Sequence, residues 1–459
     1  MAATSIISIA ADPAQAGYPG PIQNEGTPSV GADFAAGQSA GGTAYFYTLT
    51  RTGDTSQYQS VDWSVLAGAT NPSNGTDFVG GTMPTGTATF GPGDTSLVVQ
   101  ITVQPDFQPQ PDESFQVVLS NPTNGAAIDG GAFTAAGVIL NDDIPTVTVA
   151  SGNNKTDLSS KTTPQFVDAS SSGNHTITGS PFNDTYYLGA NFTPSDTIKS
   201  GGGIDTVVLD GGYGTAVKFG SKTFDSITNL YLTTGNNYNL TLNKSTVKSG
   251  ATMNIDASSL GTGNTATITG TAAAGGINFL GGSGVNTVIG GSGSNTLTGG
   301  SANDILTGGK GNDILTGGLG ADTLNGGKGS NLFVYNTAAD SPLLINTGSV
   351  DTTGADTLAG FQVKTDKIDL SAFQFGVATQ KISNATTGGF TTTVAANNTF
   401  FGTGLSQVGV VVEYSNKNSN ADARIYVDTN HDGRLDAGDT LIVATKVGFD
   451  KIVASDFKF

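Results

Sequence analysis

Apolar and polar residues alternate through the first third of the chain. Tyr45, Tyr47 and Leu49 follow a period of two, as do Val61, Trp63 and Val65. Leu97, Val99, Ile101 and Val103 repeat it, followed by Phe115, Val117 and Leu119. Gly-, Pro- and Asn-rich breaks separate these runs, the pattern of half-buried antiparallel strands. Residues 1–143 therefore read as a two-sheet sandwich with Trp63 in its core. Residues 144–175 read as a polar linker. Between 176 and 280 the pattern becomes short bursts, such as Thr206–Leu209, Leu230–Leu232, Tyr238–Leu242, Met253–Ile255 and Ala266–Ile268. Each burst is too small to close a core alone, but stacked bursts can share one, which predicts an irregular parallel β-helix.

From Gly281 to Val334 the chain repeats every nine residues, six times without a gap: GGSGVNTVI, GGSGSNTLT, GGSANDILT, GGKGNDILT, GGLGADTLN and GGKGSNLFV. Glycines permit a tight turn whose carbonyls can face an ion. The sixth position carries Asn286, Asn295, Asp304, Asp313, Asp322 and Asn331. The eighth is apolar and predicted to point inward: Val288, Leu297, Leu306, Leu315, Leu324 and Phe333. Residues 335–459 return to larger apolar side chains and read as a cap, because exposed coil ends are adhesive edges. The fold class is thus all-β: an N-terminal sandwich, a parallel β-helix running into a β-roll over 281–334, and a β-rich C-terminal cap.

Composition narrows the chemistry. The 459 residues include 66 glycines, and 37 acidic residues against 19 Lys and Arg give a net charge of −18. So acidic a chain is a poor nucleic-acid binder. No apolar run is long enough for a transmembrane helix. With no cysteine and with His175 and His431 far apart, thiolate and His-based zinc sites are excluded. An acidic, oxygen-rich chain suits hard cations, calcium above all. Gly37-Gln38-Ser39-Ala40-Gly41 matches a nucleophile-elbow string, but it lacks the preceding strand and following helix that such a turn needs.

The repeat matches the pattern G-G-x-G-x-D-x-U-x, and the chain resembles the RTX family of secreted bacterial proteins. In that family two nonapeptides make one coil of a right-handed roll, so the resemblance stacks alternate repeats. One side then holds Asn286, Asp304 and Asp322, and the other Asn295, Asp313 and Asn331. Only Asp304 and Asp322 are adjacent carboxylates. The implied cofactor is Ca2+, strongest at that pair and weaker around Asp313, with Asn–Asn neighbours able to hydrogen-bond without an ion. GSPFNDTYYL near Asp184 and SGGGIDTVVL near Asp205 look like degenerate copies.

Four further resemblances concern the flanking regions. The strings NEG, GTDF, TATFGPGDTSLVVQITVQPD, PDESFQVVLSNP and GVILNDD resemble a Calx-β domain. That family's immunoglobulin-like sandwich implies calcium ligands at Glu25, Asp77, Asp106, Asp112, Glu113, Asp142 and Asp143. In IYVDTNHDGRLDAGDTLI, residues Asp428, Asn430, Asp432, Arg434, Asp436 and Asp439 take positions 1, 3, 5, 7, 9 and 12 of an EF-hand-like loop, with Gly433 at the sharp turn. Strands, not helices, are predicted to flank it, and His431 is expected to point to solvent. DTLAGFQVKTDKIDLSAF resembles the segment after the roll in RTX proteases and lipases, and VASDFKF resembles the uncleaved signal read by type I exporters. The N-terminus lacks the basic residues of a Sec signal peptide.

Together these readings imply a non-enzymatic, calcium-binding structural protein outside a Gram-negative cell: a surface-layer, adhesin or biofilm component. Its partners would be calcium, the type I exporter and either further copies or a cell-surface polysaccharide. One alternative is a secreted polysaccharide-active enzyme using Asp210, Lys218, Lys222, Asp225, Tyr231, Tyr238, Lys244 and Asp256 in one groove. Another is a carbohydrate- or cell-binding module presenting Tyr186, Tyr187 and Tyr213 as an exposed platform.

Overall fold

The computed structural model describes residues 5–11, 22–24, 43–69, 71–104, 112–140, 146–346, 349–376, 380, 382–388, 400–401 and 408–459. The chain divides into two compact units. The first holds the strands up to Thr148 with Phe166–Asp168; the second includes Val149–Gln165 and Ala169–Phe459.

The first unit contains two facing sheets. One orders Ser96–Val103, Thr43–Thr52, Ile6–Ala11 and Ala127–Ile128; the other orders Ile22–Asn24, Thr134–Leu140, Glu113–Ser120, Gln59–Ala67 and Thr85–Phe90. The alternation places Tyr45, Tyr47, Leu49, Val61, Val65, Val117 and Leu119 in one core. Phe115 sits at its centre, edge-on to Tyr45 at 5.3 Å and to Phe78 at 5.4 Å between ring centroids. Trp63 departs from expectation: it is only partly buried, packed at the core's margin against Gly86. A Cβ at Gly86 would overlap the indole ring, so the missing side chain makes room for it.

One end of this sandwich is locked by a buried arginine. Arg51 donates to the carbonyls of Asp94 (2.8 Å), Gly91 (2.6 Å), Gln57 (2.9 Å) and Thr55 (3.2 Å) and lies over the Phe90 ring. Aligned carbonyl dipoles offset the desolvation of the guanidinium.

The second unit is a parallel solenoid. Its pairing offset measures the coil. Tyr186 pairs with Val207, Val207 with Leu230, Leu230 with Ile255 and Ile255 with Phe279. Within the repeat the coil shortens to 18 residues: Leu297 pairs with Leu315 and Leu315 with Phe333 on one sheet, Val288 with Leu306 and Leu306 with Leu324 on the other. All six eighth-position side chains are fully buried between the sheets, as predicted. Each coil adds one large apolar residue per sheet, so coils must stack to exclude water.

Coils also form earlier than the apolar pattern suggested. Lys155–Asp157 and Thr176–Thr178, inside and at the edge of the segment read as a linker, pair in parallel. Their strands are three residues long, and only the second carries an inward apolar residue, Ile177, too little for a periodicity test to register. At the other end the sheets continue into the cap: Phe333 pairs with Ile368, and Ile368 with Phe457.

Candidate calcium-binding loops

The repeat loops build a ladder of sixth-position side chains. Asn286 N–H donates to Asp304 Oδ1 (2.6 Å), and Asp304 N–H to Asp322 Oδ1 (2.7 Å). On the other side Asn295 N–H donates to Asp313 Oδ1 (2.8 Å), and Asp313 N–H to Asn331 Oδ1 (3.1 Å). The two stacks are those expected from alternate repeats. One oxygen of each aspartate is therefore used to hold the preceding coil.

The second oxygen is not. Asp304 Oδ2, Asp313 Oδ2 and Asp322 Oδ2 are buried without a hydrogen-bond partner, and these residues are about 1% exposed. Each Oδ2 points at the first glycine of its own repeat. A Cβ at Gly299, Gly308 or Gly317 would overlap Asp304, Asp313 or Asp322 Oδ2 respectively. The first-position glycine is thus required by space. Burial pushes Asp304 and Asp322 up to about 7 and Asp313 to about 6. Asp322 is raised further by the charges of Asp304 and Asp340. Buried carboxylate oxygens without donors are costly unless a cation or proton joins them.

The cap extends both ladders with residues the repeat pattern did not reveal. Asp322 N–H donates to Asp356 Oδ1 (2.9 Å), and Asn331 N–H to Asp366 Oδ1 (2.9 Å). Asp356 is likewise buried, beside the buried Tyr335 hydroxyl, and burial followed by the Asp322 charge pushes this acid up to about 9. The available signal was the triplet of acid, any residue, apolar residue: Asp356-Thr357-Leu358 copies Asp322-Thr323-Leu324, and Asp366-Lys367-Ile368 copies Asp313-Ile314-Leu315. Long excursions between the coils broke the nine-residue count.

The first degenerate copy is wired differently. Asp184 Oδ1 accepts from Gln165 N–H (2.8 Å) and Ser180 Oγ (2.7 Å), and its Oδ2 from Ser180 N–H (2.6 Å) and Tyr186 OH (3.3 Å). The second keeps the wiring of the repeat: Asp205 Oδ1 accepts from Asp184 N–H (2.7 Å) of the preceding coil, its Oδ2 is buried, and burial pushes this acid up to about 6.

Of the sandwich acids, Glu25, Asp106, Asp142 and Asp143 lie outside the described residues. Asp77 is buried and closes a single-turn cap, accepting from Asn74 N–H through Oδ2 (2.5 Å). Asp112 is exposed and Glu113 partly buried at the start of its strand.

The EF-hand-like sequence forms the loop of an antiparallel hairpin between Ala423–Val427 and Thr440–Thr445. Gly433 has φ of 78°, the left-handed turn its position requires. The loop's acids hold its own amides: Gly433 N–H on Asp428 Oδ2 (3.2 Å), Arg434 N–H on Asp432 Oδ1 (2.8 Å), and Thr429 and Asp436 N–H on Asp439 Oδ1 and Oδ2 (3.2 and 3.0 Å). Asn430 Nδ2 donates to Asp436 Oδ1 (3.3 Å). Burial, with Asp428 and Asp436 nearby, pushes Asp439 up to about 8. His431 is exposed but does not point freely to solvent: its ring packs edge-on to Phe375, and Nε2 lies 2.7 Å from the Phe373 carbonyl.

Among the described residues no three His, Asp or Glu side chains converge as a metal-holding group. Ion binding in the repeat would draw on backbone carbonyls with one or two carboxylates, a donor set that suits calcium.

The alternative sites do not assemble. Tyr186, Tyr187 and Tyr213 are buried and form no exposed platform. Tyr231, Tyr238 and Asp256 are also buried. Asp210 accepts from Tyr187 OH and Thr233 Oγ1, and Asp225 pairs with Lys248 at 2.6 Å. A groove of about 710 Å³ crosses the outer face of the roll, lined by Thr296, Thr298, Thr316 and Asp340 among others; none of the eight residues of the enzymatic reading lines it.

Residues 280–315 and 298–333 match the family model of the RTX calcium-binding nonapeptide repeat. This segment of the chain is an RTX repeat, and calcium is the cofactor of such repeats. No curated protein matches the chain. Among solved structures it is similar to the apo form of the Calx CBD1 domain, at 25% identity over 30% of this chain and 99% of that one, with a TM-score of 0.23. It is similar to CBD12 from CALX1.2, at 24% identity over 33% of this chain and 51% of that one, with a TM-score of 0.23. It is also similar to the AlgE6R3 subunit of the Azotobacter vinelandii mannuronan C5-epimerase, at 23% identity over 38% and 78%, with a TM-score of 0.25. No helix among the described residues is long and apolar enough to cross a membrane.

Proposed function

We propose that this is a calcium-stabilised structural protein of the bacterial exterior, a surface-layer or matrix component whose roll is completed by calcium. The observation that carries this reading is the row of buried oxygens, Asp304, Asp313 and Asp322 Oδ2, each without a hydrogen-bond partner. Asp304 and Asp322 with the cap residue Asp356 would hold ions on one side, and Asp313 with Asn331 on the other. Bound calcium supplies charge neutralisation and cross-links adjacent coils. These residues orient the coil backbone through Oδ1 and offer Oδ2 to the ion.

Calcium is scarce in cytoplasm and plentiful outside, so such a roll would finish folding after export. The sandwich acids and the EF-hand-like loop are read as further calcium-responsive elements. The carboxylates of Asp77, Asp428, Asp432 and Asp439 already hold local amides, so they would bind less tightly than the roll. Self-association is favoured over enzymatic action because the described surface brings no acid–base set into a common groove, while a long acidic solenoid offers carboxylates for bridging by divalent ions.

Light scattering through a calcium titration, from chelator to about 10 mM, tests this against typical extracellular affinities. Reversible growth from monomers into large particles is the expected result. Compaction without growth would confine calcium to folding and remove the surface-layer reading.

A further inference from the structure

The asparagine loops differ from the aspartate loops in one group. Asn286 Nδ2 donates to the carbonyl of Gly284 (2.8 Å) in its own loop, to that of Gly299 (2.9 Å) in the next coil, and to Asp304 Oδ1 (3.1 Å). Asn295 Nδ2 does the same with Gly293 O (2.7 Å), Gly308 O (2.8 Å) and Asp313 Oδ1 (2.7 Å). Three acceptors from two coils thus converge on one amide.

One coil later the acceptors remain but the donor is gone. A Cβ at Gly281 would overlap Asn286 Nδ2 and the Gly299 carbonyl; a Cβ at Gly299 would overlap Asp304 Oδ2 and the Gly317 carbonyl. On the other side, Gly290 faces the Asn295 amide and the Gly308 carbonyl, whereas Gly308 faces Asp313 Oδ2 and the Gly326 carbonyl. Where the asparagine loops set a donor against a carbonyl, the aspartate loops set an anionic oxygen against one. Two acceptors at one point need a cation between them.

We propose that the amides of Asn286 and Asn295 stand in for calcium between these loops and those of Asp304 and Asp313. The first coil of the repeat is then closed by the protein's own donors, and ion binding begins at the Oδ2 atoms of Asp304 and Asp313. This inference rests on the calcium reading above. It assigns Asn286 and Asn295 as ion substitutes, not ligands, and makes the first coil a preformed edge on which the calcium-dependent coils order. Toward the cap, Asn331 Nδ2 likewise sets a donor against the next acid, Asp366 Oδ1, at 3.0 Å.

The test is the number of calcium ions bound by the full chain in equilibrium dialysis, with amide exchange in saturating calcium as the control for folding. Asn295→Asp removes the donor and should raise the count by about one ion. Asp313→Asn restores a donor and should lower it by about one, while protecting residues 308–325 from exchange in chelator. An unchanged count in Asn295→Asp, or an ion lost in Asn295→Ala, would overturn the assignment. If the parent chain takes up no calcium, the calcium reading itself fails; if it takes up calcium but the aspartate variant adds none, only the present inference fails.

Discussion

Asp184 and Asp304 hold the same position in two stretches of one solenoid. Both are sixth-position aspartates about 1% exposed. Asp184 meets four donors, two of them the hydroxyls of Ser180 and Tyr186. Asp304 meets only the backbone and side-chain N–H groups of Asn286, all at Oδ1. The fold tolerates a buried carboxylate in either of two ways: with local donors supplied by the chain, or with a cation supplied from solution. The first makes a coil that stands on its own; the second makes one whose stability depends on its surroundings.

The strongest way to break this comparison is to remove calcium. In chelator, amide exchange should accelerate over 299–325 by orders of magnitude while 176–188, around Asp184, stays protected. Equal loss in both segments would mean that the hydroxyls do not substitute for the ion. Next in size is Leu306→Ala, which empties a fully buried position and should cost about 2–5 kcal/mol in saturating calcium and less in chelator, where its coil opens. An equal loss in chelator would show that the coil stays packed without the ion.

Ser180→Ala probes the Asp184 coil. It removes a donor from a buried carboxylate and should cost about 1–3 kcal/mol, independently of calcium. Recovery on adding calcium would show an ion entering the Asp184 loop.

The smallest effect is in pH. Asp304, Asp322 and Asp313 are raised by burial to about 7, 7 and 6. Without calcium the folded chain holds protons that the unfolded chain has released. That stability is complete below about pH 4, where unfolded aspartates titrate, and is lost as pH rises through the folded values. The melting temperature in chelator should therefore fall between pH 5 and pH 8. In excess calcium the slope should reverse, because protons and calcium compete for the same oxygens. A melting temperature independent of pH in chelator would argue that these oxygens are solvated.

Much of the second unit was written in local pattern. The nine-residue repeat determined the 18-residue register, the two stacks of sixth-position residues and the burial of Leu297, Leu306, Leu315, Leu324 and Phe333, because each depends only on position within a short period. Alternation likewise determined the strands of the sandwich. It misjudged Trp63, whose depth depends on Gly86 across the sheet. The tyrosines near 186 and 213 resembled a platform in sequence, yet their rings fill coils whose neighbours lie more than twenty residues away.

What only the tertiary structure decided is how each buried oxygen is satisfied. Whether an aspartate needs an ion depends on donors that arrive from another coil or from a side chain turned inward: Tyr186 for Asp184, the Asn295 amide for the carbonyls around Asp313, and none for Asp304 Oδ2. The cap acids Asp356 and Asp366 join the ladders across excursions of 34 and 35 residues. Residue type and spacing along the chain set which groups are offered to the interior. Hydrogen bonding and close approach in three dimensions set which of them are left for calcium, because those interactions act over ångströms of space and not over positions in sequence.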